Sequence, residues 1–270
     1  MFAVDELADR LISAYDSARM LAPITDEAAD FDVAAAYDVL FEIERRRRAQ
    51  GWVPAGRKIG FTNRTIWPRY GVYEPMWAHT WTRTVHRAGD GQATLALDAF
   101  VQPRIEPEVV FGLLEPVPIT DDAEEVLRHV EWIAAGFEIV QCHFPNWKFR
   151  APDCTAAFGL HGALIVGTPV PVNEVNRAAL ATALPTFELT LRKGEGVVDR
   201  GIGANVLDSP ALALSYLAQV VARQPKFAPL ASGEIVTTGT VTDAWPVARG
   251  ETWTSDYGAL GLPGLRLRLS

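Results

Sequence analysis

Two carboxylates, Glu106 and Glu108, stand two residues apart in the run Pro103-Arg104-Ile105-Glu106-Pro107-Glu108-Val109-Val110-Phe111. Apolar and β-branched residues bracket them, so the run reads as a strand. Both acids then project from one face, and Ile105, Pro107 and Val109 from the other. Neighbouring carboxylates in an apolar strand repel each other and resist burial. A hard divalent cation with oxygen ligands relieves both penalties. A third carboxylate in a similar setting is Glu138, in Gly136-Phe137-Glu138-Ile139-Val140. Three carboxylates on strands, with room for water, describe an open Mg²⁺ or Mn²⁺ site. The competing reading is an edge strand, where charge and a proline that cannot donate to a ladder block aggregation. What the rest of the chain supplies separates the two.

The elements that must position these acids follow from periodicity. Leu7, Leu11, Ile12 and Tyr15 share one face of a helix over about 5–20. A second helix runs over about 32–49 and ends in Arg45-Arg46-Arg47-Arg48 with Gly51 just beyond, which suits the helix dipole and the stop. The arginine run fits a solvated helix end or a subunit contact better than an anion site. After Pro54 the texture becomes short strands separated by Gly, Pro, Asp and Asn, expected near 58–62, 92–96, 104–113, 136–142, 162–166, 186–193, 234–239 and 265–269. Helices are expected near 121–134 and 210–222, the latter opened by Asp208-Ser209-Pro210. The aromatic segment 63–90, with Trp67, Tyr70, Tyr73, Trp77 and Trp81, reads as a long lid or binding loop. The class is α+β, a small N-terminal helical region over 1–55 followed by a β-rich catalytic domain over 56–270.

Composition narrows the partners. With 270 residues, 49% apolar and 21% charged, the chain is an ordinary globular protein of one large or two unequal domains. A net charge of −8 without a long basic patch argues against nucleic acid and anionic membranes as partners. Cys142 and Cys154 fit buried thiols in a reduced, cytoplasmic protein. The first residues show no basic segment leading into an apolar run, and no apolar stretch approaches the ~20 residues of a membrane span. Gly201-Ile202-Gly203-Ala204-Asn205 is too short for a dinucleotide fingerprint.

Several pieces occur in a fixed order: Gly56-Arg57-Lys58-Ile59-Gly60-Phe61-Thr62-Asn63, the Glu106/Glu108 strand, Glu138-Ile139-Val140, Gly203-Ala204-Asn205-Val206-Leu207, Ser232-Gly233-Glu234-Ile235-Val236-Thr237-Thr238-Gly239-Thr240, and a closing strand from Leu260. The set resembles the fumarylacetoacetate hydrolase superfamily over nearly the whole chain, and within it the 2-keto-4-pentenoate hydratase and 4-oxalocrotonate decarboxylase branch. The resemblance implies a mixed β-sandwich roll and self-association, with a related pathway enzyme as a further partner. It implies Glu106, Glu108 and Glu138 as ligands of a metal, usually Mg²⁺. The family's Lys-Ile-Gly lysine falls on Lys58, and its Gly-Thr turn near the site on Gly239-Thr240. Lys58, its pKa lowered by burial and a nearby cation, would exchange a proton with the substrate.

One departure from the hydratase pattern stands out. Where hydratases tend to have Gln-Pro-Asp-Phe-Gly, this chain has Glu74-Pro75-Met76-Trp77-Ala78. Met76 cannot serve as an acid, a base or a ligand of Mg²⁺. Glu74 and His79 are the alternatives on that loop, as a pair activating water, although a solvated glutamate and a packed histidine fit each one singly. Met76, Trp77 and Trp81 suggest an apolar or aromatic substrate tail. Lys148 or Arg150 could hold a substrate carboxylate, with Asp153 orienting one of them. His143 is out of phase with Glu138 for a metal role, and His161 reads as a satisfied buried histidine.

A 2-oxo acid, or its 2-hydroxy-dienoate enol, binds such a metal through its carboxylate and C2 oxygen, and the metal stabilises enolate charge. The expectation is a metal-dependent hydratase of a 2-hydroxy-2,4-dienoate or 2-oxo-alkenoate, as in aromatic-compound degradation. A decarboxylase or C–C hydrolase of a related 2-oxo or β-keto acid is the alternative. A non-catalytic 2-oxo-acid-binding partner subunit is the second.

Overall fold

In the computed structural model, which describes residues 3–270, the run with the paired acids forms the strand Arg104–Leu113. Met1 and Phe2, the start of the expected N-terminal region, lie outside the described residues. Among the described residues this strand sits inside a nine-stranded mixed sheet. The order is Met76–Trp81, Pro54–Gly60, Ile235–Thr237, Arg104–Leu113, Val130–Val140, His161–Val166 and Val85–Arg87, with Trp245–Pro246 also pairing with Arg104–Leu113 and Val170–Pro171 with Val130–Val140. A second, five-stranded sheet runs Gly196–Ile202, Glu188–Lys193, Thr252–Asp256, Leu265–Leu269 and Gln92–Leu95. The class is α+β.

Register follows from burial. Ile105, Val109 and Phe111 are fully buried in the main core, together with Trp253, Leu265 and Leu267 of the smaller sheet and Leu214 and Leu217 of the helix Pro210–Ala222. Burying one such side chain contributes about 1.5–3 kcal/mol. A one-residue slip would exchange this set for Arg104, Glu106 and Glu108, so the pairing is tightly specified. That register places Glu106 directly opposite Glu138 and Glu108 opposite Gly136.

The expected helix near 121–134 is shorter, Ala123–Arg128. The chain then becomes the strand Val130–Val140, because Val130, Ile133 and Phe137 pair along Arg104–Leu113 and enter the core. The aromatic segment is not one long loop. Met76–Trp81 is a wholly buried strand antiparallel to Pro54–Gly60. Trp77 and Trp81 gain more from the core than from solvent, and the ladder satisfies their backbone.

The N-terminal helices Val4–Asp16 and Val33–Ala49 do not stand apart. Leu7, Leu11, Val39 and Ile43 share a core with Val140, Cys154, Phe158 and Leu160. Asp153 accepts hydrogen bonds from the Thr25 amide and hydroxyl at 2.9 and 2.7 Å. The arginine run is consumed internally: Arg45 pairs with Glu42, Arg46 with Asp5, Asp9 and Glu42, Arg47 with Asp16, and Arg48 with Glu44. Both cysteines are free and buried. Among the described residues no helix is long and apolar enough to cross a membrane.

Candidate metal centre and active site

Glu106, Glu108 and Glu138 converge, with one oxygen from each within 4.8 Å of the others. Like charges directly opposite on neighbouring strands destabilise a sheet, and here two of the three are fully buried. Burial pushes the Glu106 carboxyl up to about 7, against the pull of Lys58 and helped by Glu138. Burial likewise drives Glu108 well above the usual carboxylate range, with Glu138 and Glu106 adding to it. Glu138 goes the other way: burial opposes its charge, but Lys58 and His161 outweigh that and hold it low.

Three neighbours orient the acids. Glu108 Oε2 accepts from the Gly239 amide at 2.7 Å and from the Thr237 hydroxyl, while its Oε1 has no hydrogen-bond partner. Gly239 (φ 96°) is required, since a Cβ there would lie 2.0 Å from Thr62 Oγ1. Glu138 Oε1 faces His161 Nδ1 at 2.8 Å, and His161 Nε2 meets the Thr84 hydroxyl at 2.8 Å. A carboxylate only accepts, so Nδ1 carries the proton in this bond. Glu138 Oε2 faces Lys58 Nζ at 3.3 Å.

Lys58 is buried, and Nζ also donates to the Gly159 carbonyl at 3.0 Å. That carbonyl is presented by a turn in which Phe158, Gly159 and Leu160 all have left-handed φ, 58°, 58° and 62°. Such backbone is strained for Phe and Leu and persists only where packing enforces it. Burial alone would lower the Lys58 pKa, but Glu138, Glu106 and Glu108 together raise it. The expected lowering is therefore absent while the carboxylates are uncompensated.

Lys58 and Glu106 open on a cavity of about 260 Å³. Its walls include Phe61, Tyr70, Met76, Arg104, Phe149 and Thr240. Met76 and Thr240 thus lie where the sequence expects them, on the wall. Trp77 does not: it is fully buried against Tyr37 and Phe227, its indole N–H donating to Gln224 at 2.8 Å. Trp81 packs on Trp52.

The structure does not bring Glu74 and His79 together or to this cavity. Glu74 is exposed and paired with Arg223 at 2.6 Å. His79 is buried, its Nε2 3.1 Å from Glu44. It projects on the Arg57 side of the sheet, since His79 pairs with Arg57 while Ala78 pairs with Lys58. Lys148 and Arg150 are exposed and do not line the cavity. Asp153 orients neither; it caps its own helix by accepting from the Arg150 amide at 2.8 Å and ties down Thr25. His161 is the satisfied buried histidine that the sequence suggests, but what satisfies it is Glu138. Its partner lies 23 positions away, so no local pattern marks it.

The donor set fits a divalent metal ion: three convergent carboxylates, two of whose oxygens (Glu108 Oε1 and Glu138 Oε2) have no hydrogen-bond partner, and an excess of negative charge that the fold alone does not neutralise.

Comparison with known proteins places this geometry in context. No family model matches the chain. A 2-hydroxyhexa-2,4-dienoate hydratase of Comamonas testosteroni is 28% identical over 251 residues, 92% of this chain and 91% of that protein. A 2-keto-4-pentenoate hydratase of Dechloromonas aromatica is 28% identical over 265 residues, 97% and 95% of the two chains. Among solved structures, 4-oxalocrotonate decarboxylase from Pseudomonas putida G7, complexed with magnesium and adipate, aligns with a TM-score of 0.88 at 25% identity. The match covers 99% of this chain and 97% of that one. A fumarylpyruvate hydrolase from Pseudomonas aeruginosa, in complex with Mn²⁺ and pyruvate, shares the fold with a TM-score of 0.61 at 19% identity over 79% of this chain and 88% of that one.

Proposed function

We propose that this chain, which belongs to the hydratase and decarboxylase branch of the fumarylacetoacetate hydrolase superfamily, is a divalent-metal-dependent hydratase adding water to a 2-hydroxy-2,4-dienoate or its 2-oxo-alkenoate tautomer. The observation that carries the reading is the convergence of Glu106, Glu108 and Glu138 beside Lys58, with Glu106 and Lys58 opening on a cavity sized for a small acid. Glu106, Glu108 and Glu138 would hold Mg²⁺ or Mn²⁺. When bound, the ion supplies a Lewis acid that stabilises negative charge on the substrate's C2 oxygen. Lys58 Nζ takes the proton from the enol oxygen and returns it in the ketonisation that precedes water addition. Once the carboxylates are neutralised, Lys58 loses the pull that raises its pKa, and burial then favours its neutral, proton-accepting form. His161 and Gly239 hold Glu138 and Glu108 in place. Thr240 and Met76 contact the substrate.

A second reading is favoured by Met76. Adding water needs a group that activates water, and a thioether supplies none. Decarboxylation of a 2-oxo acid with a vinylogous carboxylate needs none: the C–CO₂ bond breaks, its electron pair enters the extended enolate, and CO₂ leaves.

The test is turnover of 2-hydroxypenta-2,4-dienoate with and without Mg²⁺, beside 4-oxalocrotonate and an acylpyruvate, with Glu106→Ala as control. Metal-dependent loss of the dienoate, absent in the variant, supports the hydratase. CO₂ release from 4-oxalocrotonate alone moves the assignment to the decarboxylase, and pyruvate release from the acylpyruvate moves it to the hydrolase. Metal binding without turnover of any of them leaves a 2-oxo-acid-binding partner subunit.

A further inference from the structure

Arg104 lies on the cavity wall, on the same strand face as Glu106 and two residues before it. Its guanidinium sits over the Trp147 ring, Cζ 4.0 Å from the centroid. The indole is itself fixed, its N–H donating to the Gln102 carbonyl at 3.0 Å. The Gln102 side chain in turn donates to the Cys142 and Phe144 carbonyls at 2.8 Å each. The indole under Arg104 thus belongs to a braced loop.

Arg104 differs from many arginines of this protein. Arg10, Arg45, Arg46, Arg47, Arg48 and Arg64 each meet a carboxylate within 3.0 Å. Arg104 shows neither an ion pair nor a side-chain hydrogen bond among the described residues. Among the described residues Lys58 and Arg104 are the cations of the cavity wall, and Lys58 is already engaged by Glu138. Five N–H donors in a fork that matches a carboxylate therefore stand uncommitted beside the candidate metal centre. The cation–π contact with a braced indole restricts the guanidinium before any ligand arrives, which lowers the ordering cost of binding.

We propose that Arg104, braced on Trp147, is the carboxylate-binding and specificity-determining residue of this cavity. The proposal rests on the 2-oxo-acid reading above. The carboxylate has two sources: the one next to the 2-oxo group, or a second one at the far end of a dicarboxylic substrate.

The experiment is calorimetric titration of the full chain in Mg²⁺ with 2-oxopentanoate, 2-oxoadipate and 2-oxopentanamide, comparing wild type with Arg104→Gln. A charge-assisted hydrogen bond predicts a loss of about tenfold to a hundredfold for carboxylates engaging Arg104 and none for a ligand lacking that carboxylate. Loss for 2-oxoadipate alone assigns Arg104 to the far carboxylate. Loss for both acids, with the amide unaffected, assigns it to the near one. Unchanged affinity for both acids, or an equal loss for the amide, overturns the proposal. Should Arg104→Gln fail to fold, Arg104→Lys keeps the charge and removes the fork, and the same ratios are read. These titrations do not depend on turnover, so a failure of the hydratase assignment leaves them decisive for Arg104. Where turnover is measurable, Arg104→Gln raises KM by more than it lowers kcat.

Discussion

The strand Pro54–Gly60 sends Arg57 to one side and Lys58 to the other, and each enters a buried charged cluster. On the Lys58 side one ammonium faces three carboxylates, and Glu106 borders a cavity. On the Arg57 side the charges are matched. Arg57 meets Glu234 at 3.5 Å, His79 meets Glu44 at 3.1 Å, and Glu44 also pairs with Arg48. Arg57 also donates to the Ala228 carbonyl at 2.7 Å and lies 5.0 Å over Trp77. Buried charge by itself therefore does not mark a site. An excess of one sign beside open volume does, because only a ligand can complete it.

The largest effect expected is on the Lys58 side. Glu106→Ala should lower turnover by about a thousandfold or more and abolish divalent-ion binding by calorimetry, since a Lewis acid supplies several kcal/mol of charge stabilisation. The metal-free variant should melt no lower than metal-free wild type, because one repelling charge is gone. A large drop in melting temperature would mean that this cluster, too, is balanced and structural. Arg57→Met should do the reverse. Breaking a buried pair costs about 3–5 kcal/mol, visible in denaturant unfolding, while ion affinity per folded molecule stays within a factor of two or so. His161→Phe should weaken divalent-ion affinity about tenfold to a hundredfold, the usual cost of removing an orienting partner. Unchanged affinity would return His161 to plain packing.

The pH dependence sharpens the contrast further. Glu106 is raised in the folded protein to about 7 from 4.5. The folded state then holds a proton that the unfolded state has released, so stability is full below the unfolded pKa and falls as pH rises through the folded one. Metal-free protein should lose melting temperature between about pH 4.5 and 7, and saturating Mg²⁺ should remove that loss. A flat profile without metal would deny the excess charge. The smallest effect belongs to Glu74→Ala. Glu74 and Arg223 are both about half exposed, such pairs contribute under about 1 kcal/mol, and turnover should not change. A marked fall in turnover would restore the role that the sequence suggested for that segment.

The fold was legible wherever one residue's neighbours in sequence are also its neighbours in space. The strand Arg104–Leu113 and the helix Pro210–Ala222 fall where alternation and the Ser209-Pro210 start place them. The shared face of Glu106 and Glu108 follows from a period of two, and so does the separation of Lys58 from Arg57. The segment Met76–Trp81 reads as loop in the sequence because its aromatic run carries no alternation when both faces are covered.

What the sequence by itself determined is thus the supply: three acids and a lysine on strands, and a thioether at position 76. Which charges meet was decided by tertiary structure alone. Register set Glu106 against Glu138. The strained turn at Gly159 brought its carbonyl to Lys58, and the sheet carried His161 onto Glu138 and His79 away from the cavity. The physical reason is that side-chain direction is a local property of the backbone. Charge balance depends on which strands lie side by side, and no local pattern encodes that.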